Sequence, residues 1–437
     1  MSKTKLKETE IGMIPEDWEI SEVGEIIKHR KGYAFKSKWF QKSGRRIIKV
    51  SDFTSDSINI SDSLFIEEKK AKEFEDFEIY EGDIIIATVG SWPNNPASIV
   101  GKVIRVPEGA DGSLMNQNAV ILRTKNDKKV NQEFLYYRLR NKDFSHHLIS
   151  GAQGSANQAS ITLRDIFSFE FGVPEIEEQK KISNIFAKID QKFFLSKQMN
   201  KTLEAIGQAL FKHWFVDFEF PDEEGKPYKS SGGEMVFNEE LGKEIPKGWE
   251  SRRLEELFTF VKGKKPRRVS EQYNENYLPQ ILIETLDGKN PVFADPEKMI
   301  LVDKKNPITV MDGASSGRIE IGFIGILGST LALLKINNSG FNNIVYYFLK
   351  TKEEDINKNT TGTSIPHTDK NKVYNYEVAL PENNNLANRF QKETSIIISK
   401  ITLNKEKIRS LQKTRDLLLP KLMSGEIRVN NSEAGTE

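Results

Sequence analysis

The stretch from Pro174 to Trp214 admits few folds. Counted from Ile182 in alternating steps of three and four, it reads Ile182, Ile185, Ile189, Lys192, Ser196, Met199, Leu203, Ile206, Leu210 and His213. Seven of these ten are apolar, which predicts one long helix with a coiled-coil seam. Phe186, Phe193 and Trp214 each follow the second core position of a heptad and widen the stripe, implying more than one packing neighbour. A second such stretch runs from Glu382 to about Leu419, where Pro420 is expected to end the regular helix. Its core positions are Phe390, Thr394, Ile397, Ile401, Asn404, Ile408, Leu411, Arg415, Leu418 and Leu422, again seven of ten apolar. Each helix follows a segment of domain size, and the first ends and the second begins beside the second domain. The two seams are therefore expected to pair antiparallel. Lys192, Ser196, Asn404 and Arg415 interrupt them, either as half-exposed positions or as a buried polar layer that fixes register at some cost in stability.

The chain repeats itself. Ile14, Pro15 and Trp18 correspond to Ile245, Pro246 and Trp249; FLYYRL from Phe134 corresponds to IVYYFL from Ile344; GSANQ at Gly154 to GTSIP at Gly362; and Val173-Pro174 to Leu380-Pro381. Short β-type runs dominate each copy: Ile84 to Val89, Val103 to Val106 and Ala119 to Leu122, then Ile308 to Met311, Phe323 to Leu327 and Leu331 to Ile336. A short helix follows each set, with Asn131 and Asn342 as expected caps. The expected divisions are a first α+β unit over 1–173, a spacer helix over 174–220, a linker over 221–244, a second unit over 245–381, a distal helix over 382–425 and a flexible tail over 426–437.

Catalytic chemistry is hard to find. There is no phosphate-binding glycine loop, no His-Glu-x-x-His and no Asn-Pro-Pro-Tyr or Asp-Pro-Pro-Tyr signature; SWPNNPAS at Ser91 separates its prolines and lacks the Tyr. Histidines occur only at 29, 146, 147, 213 and 367, so neither a metal site nor a nucleophile–histidine pair is expected. Asp222, Glu224 and Lys226 have the residue types of a nuclease site but fall in the linker, where nothing holds them rigid. Cysteine is absent, which excludes disulfides and thiolate-bound metal and fits a cytoplasmic protein. The charged start MSKTKLKETE and the lack of a long apolar run lead us to expect neither signal peptide nor membrane anchor.

Lys and Arg number 64 against 63 Asp and Glu, a net charge of +1. That counts against a stand-alone DNA binder, whose affinity comes largely from neutralised phosphates, unless basic residues cluster or a partner supplies the contacts. They do cluster. Lys28, Arg30, Lys31, Tyr33, Lys36, Arg45 and Arg46 open the first unit; Lys262, Lys264, Lys265, Arg267 and Arg268 hold the corresponding place in the second. Arg and Lys are suited to guanine edges and phosphates, and Tyr33 and Phe35 to sugars or thymine methyls. The bland reading is a solvated charged loop. Recurrence beside Gly32, Gly44 and Gly263, which let a backbone come close, favours DNA. Further candidates are the turns from Thr88 to Trp92, with Ser91, and from Asp312 to Arg318, which are equally well plain hairpins. The loops around Gln158 and His367 add Gln153 and Asn157, side chains of the type that reads adenine.

The domain–helix–domain–helix order, the IPxxW openings, GDIIIATVGS at Gly82, MDGASSGRI at Met311, PEIEEQKKI at Pro174 and ALFKHWFVDF at Ala209 together resemble the specificity subunit of type I restriction-modification systems. The resemblance spans nearly the whole chain. The second copy departs from it at Pro381, which is followed by Glu382 and three asparagines rather than an EEQ-type start. It implies an α+β fold of two similar mixed α/β target-recognition domains joined by a long antiparallel two-helix coiled coil, with an internal pseudo-two-fold repeat. It implies a non-catalytic chain that reads an asymmetric bipartite site in double-stranded DNA, the coiled coil setting the gap. Implied partners are two DNA methyltransferase subunits, which use S-adenosylmethionine on adenine, and restriction subunits with ATP- and magnesium-dependent translocase and nuclease activity. The expected spacer and docking residues are Phe186, Phe193, Met199, Leu203, Trp214 and Phe215 on the first helix, with Ile397, Ile401, Asn404 and Leu411 on the second. The alternative is a coiled-coil scaffold with two protein-binding domains.

Overall fold

The computed structural model describes residues 5–54, 56–91, 100–155, 158–289, 291–362 and 364–429. It divides into two compact units, residues 1–191 with 413–437 and residues 192–412.

The sheet of unit 1 contains β1 (Ile27–Lys31), β2 (Ile84–Ala87), β3 (Val103–Arg105) and β4 (Ala119–Thr124), all antiparallel in the order β1-β4-β2-β3. The apolar run of β2 is unbroken because both faces of the sheet are covered. Alternation sends Ile84 and Ile86, with Val120 and Leu122, towards the helix α1 (Gln132–Leu139) and its Phe134 and Tyr137. Ile85 and Ala87, with Ile104 and Ile121, point the other way onto Ile48, Ile79 and Met115. Those last residues belong to a second sheet, ordered 64–66, 45–48, 113–115, 78–79, in which Arg45–Ile48 runs parallel to Ser113–Met115. Asn131 caps α1 as expected, its side chain accepting from Phe134 N. Next comes α2 (Ile176–Phe215), 40 residues long.

Unit 2 repeats the strand order of both sheets. Its strands β5 (Phe258–Lys262), β6 (Ile308–Val310), β7 (Ile319–Glu320) and β8 (Leu331–Ile336) are ordered β5-β8-β6-β7. The second sheet runs 293–294, 278–281, 325–327, 301–302, again with one parallel pair, and adds Val269–Ser270 at its edge. The expected strand ending at Leu327 thus belongs to this second sheet. The helix α3 (Asn342–Lys358) follows, but Asn342 is not its cap: it lies inside the helix and its Nδ2 donates to Lys305 O at 2.9 Å. The copies extend further out than the sequence divides them. Leu6–Thr9 pairs with Gly12–Pro15, and Met235–Asn238 pairs with Lys243–Pro246. Residues 235–244, expected as linker, therefore form most of a hairpin that opens the second copy.

The last helix, α4 (Asn384–Met423), is also 40 residues long and continues past Pro420, whose missing N–H falls in the final turn and interrupts little. Within unit 1, Ile182 and Phe186 of α2 share a core with Leu419, Leu422 and Met423 of α4. Within unit 2, Asn404 Nδ2 donates to Asn200 Oδ1 at 2.9 Å, and the rings of Trp214 and Phe215 meet that of Phe390 at 5.6 and 5.0 Å. In both units rising numbers on α2 meet falling numbers on α4, so the helices pair antiparallel. The seam of α4 lies where the sequence puts it. That of α2 is shifted at alternate positions: Phe193, Asn200, Gly207 and Trp214 face inward in place of Lys192, Met199, Ile206 and His213, whereas Phe186 is buried and Ile185 packs half-buried against the same core. Met199 and Ile206 are 44% and 50% exposed. Both phases carry apolar residues, and the aromatic one buries more area. Asn404, at 4% exposure and paired, is a buried polar layer rather than a half-exposed position.

The segment after α4 is held rather than loose as far as it is described. Arg428 donates to both carboxylate oxygens of Asp17 at 2.8 Å and to both of Glu178 at 2.6 Å. Residues 430–437 lie outside the described residues.

Candidate nucleic-acid interface

Each basic strand ends at a glycine pressed against its own fold. Gly32 N donates to Ala119 O and Gly263 N to Leu331 O, both at 2.9 Å. A Cβ on Gly32 would lie 1.9 Å from Asn116 O, and one on Gly263 2.1 Å from Gly328 O. Gly44, at φ +120°, would strike Ile66 O at 2.2 Å. The expectation that these glycines admit a DNA backbone is corrected: the main chain they admit is the protein's own.

Beside that strand end lies the turn that follows the second strand, and a polar loop folds onto the turn. In unit 1, Thr88 N donates to Asn118 O and Ile161 N to Thr88 O; in unit 2, Met311 N donates to Thr330 O and Thr368 N to Met311 O, all between 2.8 and 2.9 Å. Three stretches that lie far apart in the sequence, basic strand, glycine turn and polar loop, thus converge on one sheet end in each unit.

Not every candidate is available there. In unit 1, Lys28 and Lys31 are exposed with no acidic partner among the described residues, and Lys36 lies over the Trp39 ring. Arg30 pairs with Asp76 at 2.8 Å. Arg45 is neutralised by Glu68 and Glu78, and Arg46 donates to Gly109 O at 2.8 Å. Tyr33 packs against Phe35, Phe74 and Phe77 with ring centroids 4.7–5.1 Å apart, so these rings fill a satellite core instead of lying on sugars or methyls. Ser91 directly follows the strand Val89–Gly90, which pairs with Gln158–Ser160. Trp92 and Asn157 lie outside the described residues.

In unit 2, Lys264, Lys265, Arg267 and Arg268 are all exposed, without an ion pair among the described residues. Lys262 and His367 meet on one carboxylate, that of Asp312, at 3.0 and 2.7 Å. Burial pushes this carboxyl up, and the hydrogen bonds from His367 and Lys262 more than offset it, holding it below the ordinary value. Arg318 is engaged by Asp287 at 2.6 Å, Glu320 at 2.9 Å and Leu286 O, which removes it as a phosphate ligand. Sequence reasoning reaches Asp312 only as the first residue of a candidate turn and assigns it no role; the structure makes it the shared partner of Lys262 and His367.

The description "Type I restriction modification DNA specificity domain" matches residues 15–205 and 246–413. The chain belongs to this family. Among curated members, the type I restriction enzyme MjaIX specificity subunit of Methanocaldococcus jannaschii is 29% identical over 448 residues, covering 98% of this chain and 97% of that one. The HindI specificity subunit of Haemophilus influenzae is 24% identical, over 80% of this chain and 87% of its own length. A crystal structure of the type I restriction-modification S subunit from M. genitalium shares the fold with TM-score 0.55 at 18% identity, covering 96% of this chain and 99% of that one.

For a specificity-family chain the helix surfaces matter as well. Phe186, Trp214 and Phe215 lie in the cores of their units and Phe193 is 8% exposed, so these rings are not the expected docking surface; packing within the chain consumes them. Ile401 and Asn404 are buried, and Leu203, Ile397 and Leu411 are half-buried along the seam. The exposed apolar side chains are instead Phe194, Leu195, Met199 and Ile206 on α2 and Ile396 and Leu403 on α4 within unit 2, with Leu417 of α4 in unit 1. No described helix is long and apolar enough to cross a membrane.

Proposed function

We propose that this chain is the specificity subunit of a type I restriction-modification assembly, does no chemistry itself, and reads double-stranded DNA with one half-site per unit. The observation that carries this is the convergence of basic strand, glycine turn and polar loop on equivalent sheet ends of two units with the same topology but different side chains. Different side chains on one scaffold make the two half-sites different. With a net charge of +1 the chain alone binds DNA weakly, and partners complete the phosphate contacts. Those partners are two adenine methyltransferase subunits using S-adenosylmethionine, docked on the exposed apolar stripe of α2 and α4, and restriction subunits using ATP and magnesium. The paired helices set the gap.

The test is an exchange of residues 1–173 for the same segment of a relative, followed by mapping of the methylated sites. One half-site should change and the other stay. A change in both would count against independent readers, and methylation by the isolated chain would overturn the non-catalytic role.

A further inference from the structure

Asp312 has both carboxylate oxygens engaged at the sheet end of unit 2. Oδ1 meets His367 Nδ1 at 2.7 Å and Oδ2 takes Lys262 Nζ at 3.0 Å. An ionised carboxylate only accepts, so Nδ1 carries a proton, and in the uncharged form of the ring Nε2 is then the lone pair. The ring is half exposed. Its loop is pinned to the turn: Gly313 N and Ser316 Oγ both donate to Pro366 O, at 2.9 and 3.0 Å, and Thr368 Oγ donates to Val310 O at 2.9 Å. Gly362, at φ +92°, leaves room for the ring, since a Cβ there would lie 2.9 Å from His367 Cδ2.

The fold does not need this pair. In unit 1 the same backbone pairing joins Val89 to Ser160, with Ile161 N on Thr88 O as Thr368 N is on Met311 O. Two side chains without a carboxylate–imidazole contact serve there equally well. The strand carrying Lys262 runs directly into four cations from Lys264 to Arg268 that have no ion pair among the described residues, so the imidazole stands beside the best phosphate-gripping loop of the unit.

We propose that Asp312 is a positioning residue: by holding His367 through Nδ1–H, it aims Nε2 as an acceptor at the exocyclic amine of one adenine or cytosine in the half-site read by unit 2. This rests on the DNA-reading assignment above. In the major groove only adenine N6 and cytosine N4 offer donors, whereas guanine and thymine set acceptors against the lone pair. Lys262, on the other carboxylate oxygen, balances a negative charge that would otherwise repel phosphate.

The experiment selects preferred sites from a random DNA library with the methyltransferase complex carrying the wild-type chain, Asp312→Asn, His367→Leu or Lys262→Met. The first two variants should lose about tenfold in discrimination at one and the same base pair, within what one base-reading side chain supplies. The half-site read by unit 1 should be unchanged and serves as the control for folding and assembly. At the affected position, a base analogue lacking the amine should weaken binding by the wild-type complex and not by His367→Leu. Lys262→Met should weaken all sequences alike. Unchanged selection by Asp312→Asn and His367→Leu, or an even loosening across the half-site, would overturn the proposal alone. A wild-type complex with no bipartite preference would overturn the DNA-reading assignment, and this inference with it.

Discussion

Arg45 lies between Glu68 and Glu78, whereas Arg267 and Arg268 stand in solvent with no acidic side chain among the described residues to hold them. The sequence shows the same residue type in both places; the surroundings assign different work. Arg45→Ala should leave DNA affinity intact and cost about 1 to 3 kcal/mol of stability, because Glu78 loses a charged hydrogen-bond partner. Alanine at Lys264, Lys265, Arg267 and Arg268 together should do the reverse: normal unfolding, but a logarithmic salt dependence of binding that is shallower by about one for each phosphate no longer gripped. Titrating the complex at several salt concentrations separates the two. Gly207 shows a contest of magnitudes within one side chain. Alanine would gain about 1 kcal/mol of helix propensity, but its Cβ would lie 2.2 Å from the ring of fully buried Tyr347. Overpacking costs about 1 to 3 kcal/mol, so Gly207→Ala should lower the unfolding midpoint, and a raised midpoint would show that the ring yields.

Helices were legible down to the register of α4, and the strands of both copies were legible from their apolar runs. The phase of α2 was not, because Ile185, Met199 and Ile206 form as good an apolar pattern as Phe186, Phe193 and Trp214. Only the neighbours decide between them, and those come from distant sequence. The missing EEQ-type start of α4 has a similar resolution. Gln179 Oε1 accepts from Asn131 N at 2.8 Å, and Gln391 Oε1 accepts from Asn343 N at 2.9 Å, so the glutamine contact recurs deeper in the second helix. The site was half legible: its three stretches were visible, but ion pairs that cancel a charge, as at Arg45 and Arg318, need the fold. Within unit 2, α4 is tied to the sheet through Glu320 of β7, which meets Lys405 at 2.7 Å and Arg318 at 2.9 Å. Burial pushes that carboxyl up, but Lys405, Arg318 and Lys350 pull it down to about 2 from 4.5. A depressed folded value means stability that is complete above pH ~4.5 and drains away as pH falls towards ~2. Glu320→Gln should remove up to about 3 kcal/mol at neutral pH and flatten this acid limb. An acid limb as steep as that of the wild type would assign the acid sensitivity elsewhere.

For the whole molecule, the proposed ruler has a geometric test. Asn200 and Asn404 are partners, so length added to one helix alone would slip the register. One heptad inserted into each helix keeps both seams and adds ~10 Å at ~1.5 Å per residue. With ~3.4 Å per base pair, the gap between half-sites should widen by about three base pairs while the bases read stay the same. An unchanged gap would mean that the helices are not the ruler.

Unit 1 draws on segments far apart in the sequence: Leu419, Leu422 and Met423 close over Ile182 and Phe186, and Arg428 clamps Asp17 to Glu178. During synthesis, then, unit 1 closes only after unit 2 has been made. Until the ribosome releases the final turn of α4, the first reader waits with its apolar floor open, exposed to chaperones and proteases. A message cut short anywhere before Lys413 yields a chain whose early half never closes. Premature termination is thereby converted into a folding defect, and a broken transcript supplies no half-finished reader.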